Sequence, residues 1–387
     1  MIRDPDTLAS LLDTLSRFVR ERLIPQERSV DENDELPPDL VQEFRALGLF
    51  GMSIDEEYGG LGLTMEEEVL AALELGRTSA AFRSLIGTNN GIGSQSIIMD
   101  GTGAQKRTYL PLLASGEIIG SFALTEPDAG SDAASVSTRA TRSGDHYILN
   151  GTKRYITNAP RAGLFTVFAR TGSREDGAKG ISAFLVDVPR KGLTVGRQDK
   201  KMGQKGAPVA DVTFEDCVVP ADALLGGVEG AGFATAMRVL DRGRLHISAV
   251  CVGQAERLIA DMLAYALQRH QFGKPLADQQ LVQAMLAESR AEALAARCMV
   301  LETARAKDGG HTVGVDAACC KLFASEMVGR VADRAVQIHG GAGYMAEYGI
   351  ERFYRDVRLF RIYEGASEIQ KLVIARGMIK DAKGRSR

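Results

Sequence analysis

The sequence predicts an α+β protein in three consecutive parts: an N-terminal helical domain over residues 1–116, a middle β-barrel or β-sandwich domain over 117–228, and a C-terminal four-helix bundle over 229–387. Three observations predict it. Apolar residues near the N-terminus recur at steps of three and four, which marks one buried helix face. The middle third carries short apolar or alternating runs between turn residues, with no helical pattern separating them, which argues against βαβ units. From about Gly230 the chain returns to long Ala- and Leu-rich stretches, and helices of that length pack as bundles with their apolar stripes inward.

In the first part, Leu8, Leu11, Leu12, Leu15, Val19 and Leu23 share a helix face. Pro37 and Pro38 interrupt the chain and fit the opening of a second helix, where a missing N–H costs nothing. Thr64 followed by Glu67 forms a capping-box pattern, opening a helix through Leu75. A further helix is expected over Ala104–Leu113, ending near Gly116. The expected strands are Ile118–Leu124, His146–Leu149, Phe165–Ala169, Ser182–Val186 and Val209–Phe214. Gly230-Ala231-Gly232 reads as a loop entering the first long helix, 232–268, which is followed by 278–306, 313–338 and a last helix over 367–380.

Composition narrows the function. With 45% hydrophobic and 25% charged residues the chain is globular rather than disordered. A net charge of −3 gives no broad basic field and argues against nucleic acid as the partner. Local clusters such as Arg242 with Arg244, or Lys200 with Lys201, could still bind a phosphorylated ligand. No apolar run approaches the roughly 18 residues of a membrane span, and the opening MIRDPDTLAS lacks the apolar core of a signal peptide. Five cysteines, an odd number without a CxxC pair, fit free thiols in a reducing cytoplasm. The five histidines show no metal-ligand spacing, so no protein-held metal is expected.

Five segments could carry chemistry, and each has a plain structural reading beside the functional one. Thr125–Asp132 follows an apolar strand and offers backbone N–H groups and two hydroxyls to a polar ring edge or a phosphate; it also fits an ordinary Asx-type turn. Asn150–Asn158 opens on Asn-Gly, a strong hairpin signal, and would otherwise be a plain hairpin with an exposed Lys-Arg pair. Arg269–Lys274 fits a helix C-terminus with a capping glycine and basic residues against the helix dipole. Gln337–Tyr344 contains glycines that stop a helix or admit a ligand close to the backbone; it is no GxGxxG after a strand. Arg361–Gln370 sets Glu364 beside a glycine just before a helix, either a base on a tight loop or an acid near an N-cap.

In this order and at these separations the segments closely resemble the acyl-CoA dehydrogenase family, over nearly the whole chain to Ile374-Ala375-Arg376. The resemblance implies an FAD-dependent dehydrogenase acting on the Cα–Cβ bond of an acyl-CoA thioester. It also implies electron transfer to an electron-transferring flavoprotein and a homotetramer (or dimer) in which a neighbouring subunit completes each flavin site. By the same resemblance Phe122, Leu124, Thr125 and Ser131 line the flavin and thioester, and Tyr155 and Thr157 lie beside the flavin ring. Arg269, Phe272 and Gln280 match positions at the pyrophosphate and adenine half, and Gln337, Gly340 and Gly341 match contacts across the subunit interface. Ala366 and Glu368 are likewise implied at the cofactor. Ser131, Asp241, Arg244, Tyr363 and Gly365 are implied at the substrate, and Glu364 as the catalytic base. Some members carry that base one residue before the position of Arg244; here that residue is Gly243, which leaves Glu364 as the acid. Four departures stand out: Tyr155 where Trp is commoner, Lys205 and Ala207 for a frequent Arg and a small hydroxyl residue, and Ala366 for a frequent Thr. A flavin oxidase or monooxygenase, a carrier-protein thioester dehydrogenase and a non-catalytic helical scaffold are the rival readings.

Overall fold

The computed structural model describes residues 1–385, and its elements run helical, then β, then helical. The N-terminal helices are α1 (Pro5–Phe18), α2 (Glu27–Asn33), α3 (Pro38–Ala46), α4 (Met65–Leu75), α5 (Ala80–Thr88), α6 (Gln95–Asp100) and α7 (Gly103–Ala114). α1 buries Leu8, Leu15 and Phe18, and the following turn continues the same face through Val19 and Leu23. Pro38 opens α3. At α4 both halves of the capping box form: the Thr64 hydroxyl accepts from the Glu67 N–H, and the Glu67 carboxylate accepts from the Thr64 N–H.

The middle part is one mixed sheet of β1 (Gly120–Ala123), β2 (Arg139–Ser143), β3 (His146–Thr157), β4 (Leu164–Arg170), β5 (Ile181–Asp187), β6 (Leu193–Val195) and β7 (Val209–Pro220). The order is β1-β4-β2-β3-β7-β6, with β5 paired to β4. β1 runs parallel to β4, while β3 and β7 form a long antiparallel ladder with two register shifts. One face gathers Leu149, Phe165, Val212 and Phe214 into a core. Phe122, Phe168 and Leu185 pack instead with Ala236 and Val239 of the helical part.

Three local expectations are corrected. Asn150-Gly151 is not the hairpin turn. It lies inside β3 at the first register shift, and the turn falls earlier, between β2 and β3. Gly151 is there because a Cβ would meet Thr138 at 2.6–2.9 Å, so the signal marks a close approach and a bulge rather than a reversal. Lys153, read as half of an exposed pair, is fully buried against Glu126 at 2.7 Å. Gly273 does not cap the long helix. With Phe272 it turns a small hairpin between His270–Gln271 and Lys274–Pro275, both residues at positive φ.

The C-terminal part contains α8 (Gly232–Gln268), α9 (Gln280–Asp308), α10 (Gly314–His339), α11 (Gly341–Tyr344), α12 (Ile350–Val357) and α13 (Ser367–Arg385). α8 is buried at every position from Gly243 to Ala255, which makes it the central helix, covered on all sides. Its Leu245, Val252 and Leu258 share one core with Val300 of α9, Met327 and Val331 of α10, and Val69 and Leu73 of α4. The N-terminal helices are thereby tied to the bundle, and the sheet closes the third side. Among the described residues no helix is long and apolar enough to cross a membrane.

Candidate active site

A cavity of about 420 Å³ lies where the three parts meet. The strand ends contribute Phe122, Leu124, Thr125, Tyr155 and Thr157, and the turn after β1 contributes Ser131. α5 contributes Arg83, Ser84 and Thr88; α8 contributes Phe233, Met237, Leu240 and Arg244; and the loop before α13 contributes Tyr363, Glu364 and Gly365.

Each wall has a local cause. The turn after β1 is held from inside. Glu126 and Ala129 bond each other's backbone, while the Glu126 carboxylate accepts from the Ser137 N–H and hydroxyl, the Thr138 N–H and Lys153 Nζ. Burial alone would raise the Glu126 carboxyl, but Lys153 and these donors outweigh it and hold it down at about 2. The second register shift in β3 puts Tyr155 at φ 57°, and this bulge leaves its ring exposed at the cavity with the Arg154 guanidinium 4.9 Å from the ring centre.

The Glu364 loop is pinned through its carbonyls. Glu364 has φ 53° and Gly365 φ 92°, a left-handed pair that only outside support maintains. Gln370 Nε2 donates to the carbonyls of Glu364 and Gly365 at 3.1 and 2.9 Å, and Lys321 Nζ donates to Gly365 at 2.5 Å. A Cβ on Gly365 would lie 2.4 Å from Gln370 Nε2, so a side chain there would displace this clamp. The Glu364 carboxylate faces α8: a Cβ on Gly243 would lie 2.5 Å from its Oε2. The space left by the missing side chain at 243 is thus filled by the acid from 364. Oε2 is buried and has no hydrogen-bond partner. Burial raises the Glu364 carboxyl above its ordinary range, and Arg83, Lys321 and Arg244 oppose that rise. The Tyr363 hydroxyl is also buried, and burial raises it strongly.

The structure therefore brings Phe122, Leu124, Thr125, Ser131, Tyr155, Thr157, Arg244, Tyr363, Glu364 and Gly365 to one cavity. Asp241 does not line the cavity but pairs with Arg244, which does, at 2.5 Å. Ala366 accepts the Gln370 N–H at the start of α13, and Glu368 is exposed in its first turn. Arg269, Phe272, Gln280, Gln337, Gly340 and Gly341 do not line the cavity; all six are exposed. Arg83 and Lys321 are site residues that the motif reading did not single out. Their signal in the sequence is a lone cation inside an apolar helical run, Ala-Ala-Phe-Arg-Ser-Leu-Ile and Ala-Cys-Cys-Lys-Leu-Phe-Ala.

The donor set suits a flavin. Phe122 and Leu124 give an apolar wall for a flat ring, and the Thr125, Ser131 and Thr157 hydroxyls give polar contacts for its edge. No group of acids, histidines and cysteines that could hold a metal occurs among the described residues. Comparison with known proteins agrees. Models of the acyl-CoA dehydrogenase N-terminal, middle and C-terminal domains match residues 5–117, 121–217 and 230–379. The chain is 43% identical to the probable acyl-CoA dehydrogenase YngJ of Bacillus subtilis, over 94% of this chain and 95% of that one. It is 40% identical to the human mitochondrial short-chain specific acyl-CoA dehydrogenase, over 97% and 91%. Butyryl-CoA dehydrogenase from Megasphaera elsdenii superposes with a TM-score of 0.94 at 36% identity, covering 98% of this chain and 100% of that one. A chain solved in work on the electron-transferring flavoprotein of Acidaminococcus fermentans gives the same TM-score and identity, covering 98% and 99%. With all three domains matched end to end and the cavity walls built from the expected segments, the chain belongs to the acyl-CoA dehydrogenase family of FAD-dependent oxidoreductases.

Proposed function

We propose that this enzyme desaturates the Cα–Cβ bond of a short acyl-CoA thioester, with Glu364 removing the α-proton and an electron-transferring flavoprotein taking the electrons. The observation that carries the reading is the Glu364 carboxylate itself: its Oε2 is buried and unpaired, and it is held on a left-handed loop at the cavity. A carbon acid beside a thioester is very weak, so its base must be strong and already in place. Burial makes Glu364 stronger than an ordinary carboxylate, and a positioned general base contributes about 10²–10⁴-fold. The clamp from Lys321 and Gln370 fixes the loop before substrate arrives, so no ordering cost falls on the chemical step. Phe122, Leu124, Thr125, Ser131, Tyr155 and Thr157 would hold the flavin ring, which when bound supplies the acceptor for the β-hydrogen and its electron pair. Arg244, oriented by Asp241, and the walls Phe233, Met237 and Leu240 would exclude water and seat the acyl chain.

The short chain and the flavoprotein acceptor draw support from the similarity to the short-chain enzyme, to butyryl-CoA dehydrogenase and to the Acidaminococcus chain. Arg269, Phe272, Gln280, Gln337, Gly340 and Gly341 are assigned to the adenosine half of FAD bound in a neighbouring subunit, which fits their exposure here. The test is Glu364→Gln. The variant is expected to retain FAD and its colour while thioester-dependent bleaching falls by at least about 10²-fold, the low end for loss of a general base. Full bleaching activity in Glu364→Gln would remove Glu364 from the role.

A further inference from the structure

Arg83 is a buried cation at the cavity whose charge reaches the Glu364 carboxyl but which no carboxylate pairs directly. It is 4% exposed, it lines the wall beside Glu364 and Tyr363, and its Nε is buried without a partner. No hydrogen bond or ion pair satisfies its guanidinium among the described residues. The other cations of the wall are accounted for: Arg244 pairs with Asp241, Lys201 lies 3.7 Å from Asp34, and Arg376 is exposed to water. The side chain lies back over its own helix, where a Cβ on Gly87 would stand 2.3 Å from its Nε. Gly87 thus leaves the room that the guanidinium occupies.

A guanidinium is always charged, and burying it unpaired is costly unless a ligand supplies the anion. Arg83 sits on the helical wall with the base, not on the strand-end wall that carries the hydroxyls. The reach between Arg83 and Glu364 is short. Gly91, whose Cβ would be 4.0 Å from Arg83 Nη2, precedes Ile92. The Ile92 side chain would in turn be 3.4 Å from the same Gly243 Cβ that meets Glu364. An anion on Arg83 would therefore belong to the acyl chain, a few carbons from the atom that loses its proton.

We infer that the acyl group ends in a carboxylate, that Arg83 binds that carboxylate, and that the substrate class is the short-chain dicarboxylic acyl thioester. This rests on the desaturation reading above and adds the far end of the substrate to it. The planar fork of Arg83 suits two parallel hydrogen bonds to a carboxylate. Pairing also offsets the field by which Arg83 opposes the rise of the Glu364 carboxyl, so the bound substrate strengthens its own base.

The experiment compares two five-carbon thioesters on the FAD-loaded enzyme, glutaryl-CoA with a terminal carboxylate and valeryl-CoA without one, by flavin bleaching and kcat/KM. The wild type is expected to favour glutaryl-CoA by about 10²-fold or more, because an apolar chain end leaves the buried guanidinium unpaired. Arg83→Met is expected to abolish that preference, and Arg83→Lys to retain part of it. A wild type that bleaches with valeryl-CoA as well as or better than with glutaryl-CoA overturns the Arg83 assignment and leaves desaturation standing. Bleaching by no acyl thioester of either kind overturns the desaturation reading and this one with it. The wild-type comparison decides the matter even if the Arg83 variants fail to fold.

Discussion

At the scale of single residues, the site is a balance around one carboxylate. Burial pushes Glu364 toward the neutral acid, while Arg83, Lys321 and Arg244 pull it toward the charged base. Lys321 has two parts in this. Its Nζ holds the Gly365 carbonyl, and its charge acts on Glu364. Burial pushes Lys321 itself down to about 8, so it is still largely protonated at neutral pH. The sign of its removal follows. In Lys321→Met the Glu364 carboxyl rises further. The base must be ionised to work, so the acid limb of the bleaching rate moves to higher pH. Lys321→Arg keeps the charge and should leave the limb near its wild-type position. A lower rate with an unmoved limb in Lys321→Met would mean that Lys321 only positions the loop.

At the scale of elements, the turn after β1 depends on a buried ion pair joining it to β3. Lys153 is fully buried and is pushed down to about 8 by that burial despite Glu126 beside it. Lys153→Met would leave the Glu126 carboxylate buried without its cation, a change that costs about 3–5 kcal/mol in comparable pairs. Urea unfolding should show a loss of that size, and a loss below 1 kcal/mol would mean that the Ser137 and Thr138 donors suffice. The Glu126 carboxyl lies lower in the fold than its ordinary 4.5, at about 2, so the stability it contributes is present above pH 4.5 and is lost as pH falls toward 2. This pair shows what the sequence could not convey. Helix limits were readable because they have local chemistry: the Thr64–Glu67 box, the glycines before α8 and the stop at Gly340. β2 and β6 were not: Arg-Ala-Thr-Arg-Ser lacks the apolar alternation of a half-buried strand, and Leu-Thr-Val, which does alternate, is only three residues long. Glu364 was readable only through the family pattern. Its local setting also fits an N-cap, and what distinguishes it, the left-handed loop over Gly243, arises from contacts between α8, α10 and the loop before α13.

At the scale of the whole molecule, the residues assigned to FAD fall into two groups on one chain. One group lines the cavity, and the other is exposed, with Ala366 alone in neither. Phe272 is the sharpest member of the second group, 94% exposed at φ 53°, an apolar ring in a strained turn with nothing from its own chain covering it. Both facts are explained if each cavity is completed by the exposed group of a neighbouring subunit, as proposed above. Arg269→Ala should then weaken FAD retention, and unchanged flavin occupancy after dialysis would count against its role. Retention alone does not show which subunit Arg269 serves, but mixing does. Arg269→Ala subunits keep Glu364, and Glu364→Gln subunits keep Arg269. If Arg269 acts across the interface, unfolding and refolding the two inactive variants together with FAD assembles some sites with both groups intact, and bleaching activity returns in part. If Arg269 acts within its own subunit, every site in the mixture lacks one group or the other, and the mixture stays as inactive as its components.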